Sequence, residues 1–227
     1  MAVICVSWEN AHRYGEAWIS HHRLRYRMFI ERQSWEISSY NGLEYDQFDT
    51  PAAKYLLWVD DFGCTRGSVR LIPTTTHYMI PELWPDLLND GPVCSDAVWE
   101  ASRFGCDHSV SPLLRRKIVG ELIQACQEFA LARDITGYLG VMPISIFSKV
   151  MIPAGCVVKM LGASRKLGRH VTGAAFIEVS RYVLKRVHAY YESEFQVLED
   201  CHLQDLLYSK STLNGENVIA SQEKEFA

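Results

Sequence analysis

Residues 97–142 read AVWEASRFGCDHSVSPLLRRKIVGELIQACQEFALARDITGYLGVM, and three elements are legible in them. Ala97 to Phe104 is an apolar, aromatic run that predicts a strand. Ser111-Pro112 then opens a helix, with serine at the N-cap and proline in the first turn. The helix runs to about Arg133, with Leu114, Ile118, Leu122, Cys126 and Phe129 facing inward. Ile135 to Met142 predicts a second strand. The first strand also carries an acid and a guanidinium three residues apart, in Trp99-Glu100-Ala101-Ser102-Arg103-Phe104. Charges among apolar neighbours are costly to bury unless paired or used. The segment therefore reads either as a general base beside an anion clamp or as a structural salt bridge. In a straight strand the odd spacing sends the two side chains to opposite faces. A shared site requires a bulge near Ala101-Ser102.

On the N-terminal side, Lys54 to Asp60 and Thr65 to Ile72 predict a hairpin that turns at Asp61-Phe62-Gly63. Alternation puts Val69 and Leu71 on one face, and Ser68 and Arg70 on the other. Earlier still, Tyr14, Ala17, Trp18, Leu24, Met28 and Phe29 recur at helical spacing. In that helix Arg25 and Phe29 stand one turn apart on one face. Gln33 to Pro51 is rich in Ser, Asn, Gly and Asp, and predicts a long loop carrying Trp35, Asp46, Phe48 and Asp49. Pro73 to Pro92 reads as connection, with a short helical turn near Glu82 to Leu88. Beyond Met142 the pattern predicts a short helix from Ile144 to Ile152, stopped by Pro153-Ala154-Gly155. Strands at Cys156 to Leu161 and Gly173 to Leu184 follow, joined by the basic loop Arg165 to His170. The tail after Lys185 begins helically, and residues 210–227 read as a frayed end. Strands interleaved with helices give an α/β fold around a mixed sheet, in one domain over residues 1–227.

Composition excludes several functions. Of 227 residues 48% are hydrophobic and 22% charged, as in an ordinary globular protein, and the net charge of -4 argues against whole-surface nucleic-acid binding. No segment reaches membrane-spanning length, and the apolar start at Ala2 to Val6 is too short for a signal peptide. Seven cysteines without a C-x-x-C pair read as small buried hydrophobes in a reducing cytoplasm. The histidines form no H-E-x-x-H pair, so no metal site is expected. No G-x-S-x-G elbow, P-loop or G-x-G-x-x-G is present. Arg25, Phe29, Trp35, Asp46, Asp49, Arg70, Glu100 and Arg103 remain. Each has an ordinary structural explanation, but together they supply aromatic faces, cations and carboxylates for a polar, aromatic, zwitterionic ligand.

These positions also carry a resemblance. Arg25-x-x-x-Phe29, Trp35, Asp46-x-x-Asp49, Arg70-Leu71 before Pro73-Thr74-Thr75, and Trp99-Glu100-x-Ser102-Arg103-Phe104 resemble the signature of the acyl-homoserine lactone synthases, the bacterial autoinducer synthases. The resemblance runs from about residue 20 to about 185 and weakens after Met142. It implies a fold related to the GNAT-type N-acyltransferases, a mixed twisted sheet flanked by helices with an acyl cleft. It also implies transfer of an acyl group from a thioester to the amine of S-adenosylmethionine, then lactonisation with release of methylthioadenosine. No tightly bound cofactor is implied.

On that resemblance Glu100 is the expected base and Arg103 the carboxylate clamp. Arg25, Phe29, Trp35 and Phe104 are expected in the S-adenosylmethionine pocket, with Asp46, Asp49 and Arg70 ordering the loop over it. An ammonium must lose its proton before it attacks, a carboxylate suits a guanidinium, and adenine suits an aromatic face. Met142, Ile144, Ile146 and Phe147 are expected around the acyl chain. Gly140 to Pro143 offers no side-chain hydroxyl, which favours a chain without a 3-oxo group. Two cationic sets are candidates for the donor. Arg115, Arg116 and Lys117 at the helix start suit a coenzyme A or phosphopantetheine phosphate. Lys149, Lys159, Arg165, Lys166 and Arg169 suit the acidic face of an acyl-carrier protein. Alternative readings are a general acetyl-CoA-dependent N-acetyltransferase, weakened by Ile118 where a glycine is expected, and a non-catalytic sensor of S-adenosylmethionine or an acyl thioester.

Overall fold

Strand β4 (Lys54–Val59) shows how the fold is built, because it is buried on both faces. Leu56 and Trp58 pack with one core, and Tyr55 and Leu57 with the other. A period of two residues divides every central strand in this way. In β1 (Ala2–Ser7) Val3 and Cys5 face the first core, and Ile4 and Val6 the second. In β5 (Thr65–Pro73) Val69 and Leu71 face the first, and Ile72 the second. The computed structural model describes residues 2–193 and 195–199.

Nine strands form the main sheet, in the order β11 (Leu198–Glu199), β1, β4, β5, β6 (Val98–Cys106), β7 (Gly137–Pro143), β10 (His170–Glu178) and β8 (Val158–Met160), with β9 (Arg165–Leu167) also paired to β10. The pairs β11/β1 and β6/β7 are parallel and the rest antiparallel. Helix α3 (Pro112–Leu131) joins β6 to β7, as parallel neighbours require. Its Ile118, Leu122 and Phe129 share the first core with Val183 and Val187 of α5 (Arg181–Tyr191). Helix α1 (Gly15–Arg25) covers the opposite face, with Ala17 in the second core.

The β6/β7 ladder is short. It pairs Val98 with Gly137, Trp99 with Tyr138 and Glu100 with Leu139, and no further. Beyond Glu100 the strands part, and the gap is a cleft walled by Ala101 to Cys106 on one side and Val141 to Pro143 on the other. The required irregularity is present but lies later than Ala101-Ser102. Arg70 pairs with Ser102, and Ser68 with Gly105, so Arg103 and Phe104 together oppose Val69. Arg103 takes a left-handed conformation at φ 56°. That extra residue restores Arg103 to the face of Glu100.

Several expected boundaries move. The strand expected over Gly173 to Leu184 is β10 to Glu178 and then α5. The Ser180 hydroxyl accepts from the Val183 N–H at 3.1 Å, and the β-branched Val183 and Val187 are one turn apart in the core, not strand residues. The first helix is α-helical only to Arg25 and continues as a wider π turn, Tyr26–Glu31. The apolar start forms β1, and the basic loop is the β9 arm of a hairpin. The long loop contains a small ladder of β2 (Ser39–Tyr40) and β3 (Leu43–Glu44). Asn41-Gly42 between them, both at positive φ, is a hairpin signal visible in the sequence. The turn near Glu82 is α2 (Met79–Leu83) followed by Pro85–Leu87. After β7 a single turn, α4 (Ile144–Ile146), runs into the π turn Phe147–Met151.

Cys5, Cys106 and Cys156 are buried as expected, whereas Cys94 is exposed, because it lies in the connection before β6. Cys201 and the stretch 210–227 lie outside the described residues. Among the described residues no helix is long and apolar enough to cross a membrane. The α5 assignment makes a direct prediction: Ser180→Ala removes the cap and lowers stability by about 1 kcal/mol in urea unfolding. No change would return residues 180–184 to a strand.

Candidate active site

The cleft between β6 and β7 has a volume of about 430 Å³. Glu100 stands at its base, where the ladder ends, and is 1% exposed. Its Oε2 accepts the Ile80 N–H at 2.9 Å, and its Oε1 has no partner. Burial pushes its pKa up to about 7, only partly offset by the Ile80 N–H and the Arg70 charge. A carboxyl tuned close to neutrality, with one oxygen uncommitted at the wall of a cleft, is equipped to accept a proton.

Beside it lie three guanidiniums and three carboxylates. Arg25 is fully buried and grips Asp49 through both terminal nitrogens, at 2.8 and 2.9 Å, while its Nε–H bonds Glu44. Arg70, also fully buried, donates to Asp46 and Asp49 through Nη1, and to Ser102 through Nε at 3.1 Å. Arg103 donates to Glu44 at 3.1 Å and to Asp46 at 2.6 Å. The Tyr55 hydroxyl completes the Asp49 shell at 2.7 Å. Burial pushes Asp49 up, but Arg25 and then Arg70 outweigh it and hold its carboxyl well below the usual range.

Phe29 and Trp35 line the cleft with stacked rings 5.1 Å apart, and the Arg103 guanidinium lies 5.3 Å from the Phe29 centroid. Phe104 and Arg103 line it as well. Arg25 does not. Glu44 and Asp49 draw its guanidinium beneath the cleft, and the π turn after Tyr26 carries Phe29 off the line a regular α-helix would keep. Arg70, Asp46 and Asp49 belong to the same buried layer and fix the loop from below, not from above.

Of the residues expected around the acyl chain, Met142 and Ile146 line the cleft, together with Ile80, Trp84, Val119, Val141 and Val150. Phe147 is turned into the first core, and Ile144 packs against it from the sheet side near Gly173, so neither borders the cleft. Ser145 does border it, which supplies a hydroxyl that Gly140 to Pro143 lack. The cations at the start of α3 have separate protein partners. Arg115 donates to the carbonyls of His108 and Val110, Arg116 lies over the Tyr190 and Tyr191 rings, and Lys117 approaches Glu121 one turn on. Arg116 and Lys117 nonetheless line one hollow with Ser111 and Gly120. In the second set Arg165 pairs with Asp86, and Arg169 donates to the Arg32 carbonyl, while Lys149, Lys159 and Lys166 are exposed.

Glu44, Met79, Ile80 and Trp84 join the site without being among the expected residues. The signal for Glu44 was alternation, since Glu44 and Asp46 share a spacing of two at the end of a strand. Met79, Ile80 and Trp84 were passed over because their proline-punctuated surroundings read as connection. Among the described residues no group of three or more His, Cys, Asp or Glu is placed to hold a metal ion.

The sequence pattern of the autoinducer synthases matches residues 11–187. The chain belongs to the autoinducer synthase family. An acyl-homoserine-lactone synthase of Pseudomonas aeruginosa is 31% identical over 168 residues, covering 70% of this chain and 81% of that one. A CoA-dependent acyl-homoserine lactone synthase, solved with SAM and isopentyl-CoA, superposes with a TM-score of 0.80 at 27% identity, over 88% of this chain and 92% of that one. A protein from Lactobacillus plantarum assigned as an N-acetyltransferase shares the fold alone, with a TM-score of 0.51 at 15% identity over 78% and 98% of the two chains. This autoinducer synthase therefore has the GNAT-related α/β fold that its sequence implies.

The Glu100 environment sets a pH dependence of stability. A carboxyl raised from 4.5 to about 7 in the folded state favours folding fully below pH 4.5, and that contribution is lost as pH rises through 7. Glu100→Gln removes the penalty. The variant should match the wild type near pH 4 and exceed it at pH 8 by an amount on the order of 3 kcal/mol in urea unfolding. Equal stability at both pH values would mean that Glu100 is not held protonated near neutrality.

Proposed function

We propose that this autoinducer synthase makes an N-acyl-homoserine lactone from S-adenosylmethionine and an acyl thioester, with Glu100 as the base. The observation that carries the assignment is the buried, uncommitted Oε1 of Glu100 at the cleft wall. The α-ammonium of S-adenosylmethionine loses a proton to Glu100, directly or through water, and the freed amine attacks the thioester carbonyl. A C–N bond forms, the C–S bond of the thioester breaks, and the second proton of the attacking nitrogen passes to the departing thiolate, while the first stays on Glu100 until it is lost to solvent. The substrate carboxylate then displaces the sulfonium, closing the lactone as methylthioadenosine leaves. Arg103 clamps that carboxylate, and the Phe29–Trp35 stack offers the aromatic face for adenine. Both reactants are substrates, and the chemistry asks for no resident cofactor. The enzyme acts in the cytoplasm, where both substrates reside.

Glu100→Gln keeps the shape and loses the basic oxygen. Acyl transfer should fall on the order of 10²–10⁴-fold with S-adenosylmethionine binding nearly intact. In the wild type kcat/KM should rise with pH through about 7, as the carboxyl loses its proton. Release of methylthioadenosine and the mass of the lipid-soluble product measure both. Near-wild-type turnover in the variant removes Glu100 from this role, and turnover without methylthioadenosine would make the protein a general N-acetyltransferase instead.

The apolar end of the cleft takes the acyl chain, and we assign a chain unsubstituted at its third carbon. No hydroxyl projects from Gly140 to Pro143, and a buried oxo group without a partner loses about 1–3 kcal/mol. Ser145 is the position at which this assignment is tested. Matched acyl-CoA and acyl-carrier donors, each with and without the 3-oxo group, should favour the unsubstituted chain in both series. A 3-oxo preference that disappears in Ser145→Ala would reverse the assignment and name the hydroxyl responsible.

A further inference from the structure

Glu44 is fully buried, and its two carboxylate oxygens hold different arginines. Oε2 takes the Nε–H of Arg25, and Oε1 takes the Nε–H and Nη2–H of Arg103 at 3.3 and 3.1 Å. This divides the Arg103 fork into two edges. Nε and Nη2 are committed to Glu44 and Asp46, whereas Nη1 meets the Met79 sulfur at 3.6 Å, a weak acceptor. The five donors of a guanidinium lie in one rigid plane, so fixing one edge decides where the other points.

The main chain under Glu44 is fixed too. His22 is fully buried, and its Nδ1 lies 2.8 Å from the Glu44 carbonyl oxygen. A carbonyl only accepts, so Nδ1 carries the ring proton. Burial, and then the Arg25 charge, lowers the His22 pKa to about 4, which keeps the ring neutral and Nδ1 a steady donor. The Tyr45 ring packs on the imidazole with centroids 4.1 Å apart. The residue that grips Arg103 is therefore held through its backbone and its side chain, although it does not border the cleft itself.

We propose that Glu44 is a positioning residue for substrate recognition: by gripping the Nε/Nη2 edge of Arg103 it aims the Nη1 edge into the cleft, where it meets the carboxylate of S-adenosylmethionine. The inference rests on the proposed reaction and extends it to a residue that touches no substrate. Because the effect passes through Arg103, it is confined to the part of the substrate that Arg103 contacts. A purely structural role would weaken every part of the site alike.

Decarboxylated S-adenosylmethionine separates the two cases, since it keeps the sulfonium, adenosine and amine and lacks the carboxylate. Calorimetric titration of both compounds into wild type, Glu44→Gln and Glu44→Asp is the test, with Tm recorded for each protein. The wild type should prefer S-adenosylmethionine by at least about tenfold, the size of one charge-assisted hydrogen bond. In Glu44→Gln that preference should shrink by about threefold or more, with little change in affinity for the decarboxylated compound. Glu44→Asp keeps the charge balance of the cluster and withdraws from Arg103 by one methylene. It should fold and lose preference in the same direction, and it carries the test where Glu44→Gln does not fold. An unchanged preference, or equal weakening of both compounds, overturns the proposal for Glu44. Wild type that binds both compounds equally overturns Arg103 as the clamp, and wild type that binds neither overturns the reaction itself.

Discussion

Three arginines, Arg25, Arg70 and Arg103, are buried against Glu44, Asp46 and Asp49, and this neutral layer ties the first helix and the loop after β3 to the paired strands β5 and β6. Arg25 comes from the end of α1, the carboxylates from β3 and the loop after it, Arg70 from β5, and Arg103 from the bulge of β6. Removing six charges from water is expensive, and mutual attraction repays it only when the geometry is good and the remaining donors are used. Here they are used: the Tyr55 hydroxyl, the Ser102 hydroxyl and the Asp46 and Phe48 N–H groups fill the remaining positions. The loop is consequently fixed where it crosses the floor of the cleft, and the cleft inherits a rigid floor.

Glu100 gains its chemistry by standing outside this balance. It shares a face of β6 with Ser102 and Arg103, yet among the described residues no cation pairs with it, and one of its oxygens meets no donor. Compensated carboxylates such as Asp49 are locked in the charged form, whereas burial without a counter-ion brings Glu100 close to neutrality. The fold thus holds three carboxylates of β3 and the loop after it as structure and keeps one on β6 available for proton transfer. What separates them is whether a guanidinium pairs with the carboxylate.

The cleft itself follows from where a ladder stops. Parallel pairing of β6 with β7 ends at Glu100 and Leu139, and the bulge at Arg103 and Phe104 bends β6 away from that point. The single irregularity opens the space and also turns Arg103 toward it. Met79, Ile80 and Trp84 line the cleft from the short helix α2 and the residue that follows it, held to the sheet by the Ile80 N–H on Glu100. The end of the β6/β7 ladder leaves the acid at the base of the cleft, and the bulge beyond it places the clamp on the same face.

How much of this was legible depended on how local the cause was. The β4/β5 hairpin, α3 and β7 were readable because alternation, a Ser-Pro cap and turn residues act within a few residues of where they are written. The ordered set of arginines, aspartates, aromatics and Glu100 was readable as a list of groups suited to a zwitterionic, aromatic ligand, and its resemblance to the autoinducer synthases implied the family, the fold class and the reaction. The β10/α5 boundary was not, because the β-branched residues of α5 are helical only by virtue of the core they pack into. The position of the bulge, the burial of Arg25 and Arg70 beneath the cleft, the part taken by Glu44 and the separate partners of Arg115, Arg116 and Lys117 were not written locally either. Each is settled by which oppositely charged or aromatic partner lies nearest after the sheet has assembled, a choice made across tens of residues of chain. The sequence by itself determined which chemical groups the protein would carry and in what order. The tertiary structure alone decided which of them would neutralise one another and which would be left free to react, because burial and distance set the energy of a charge and neither exists before the chain has folded.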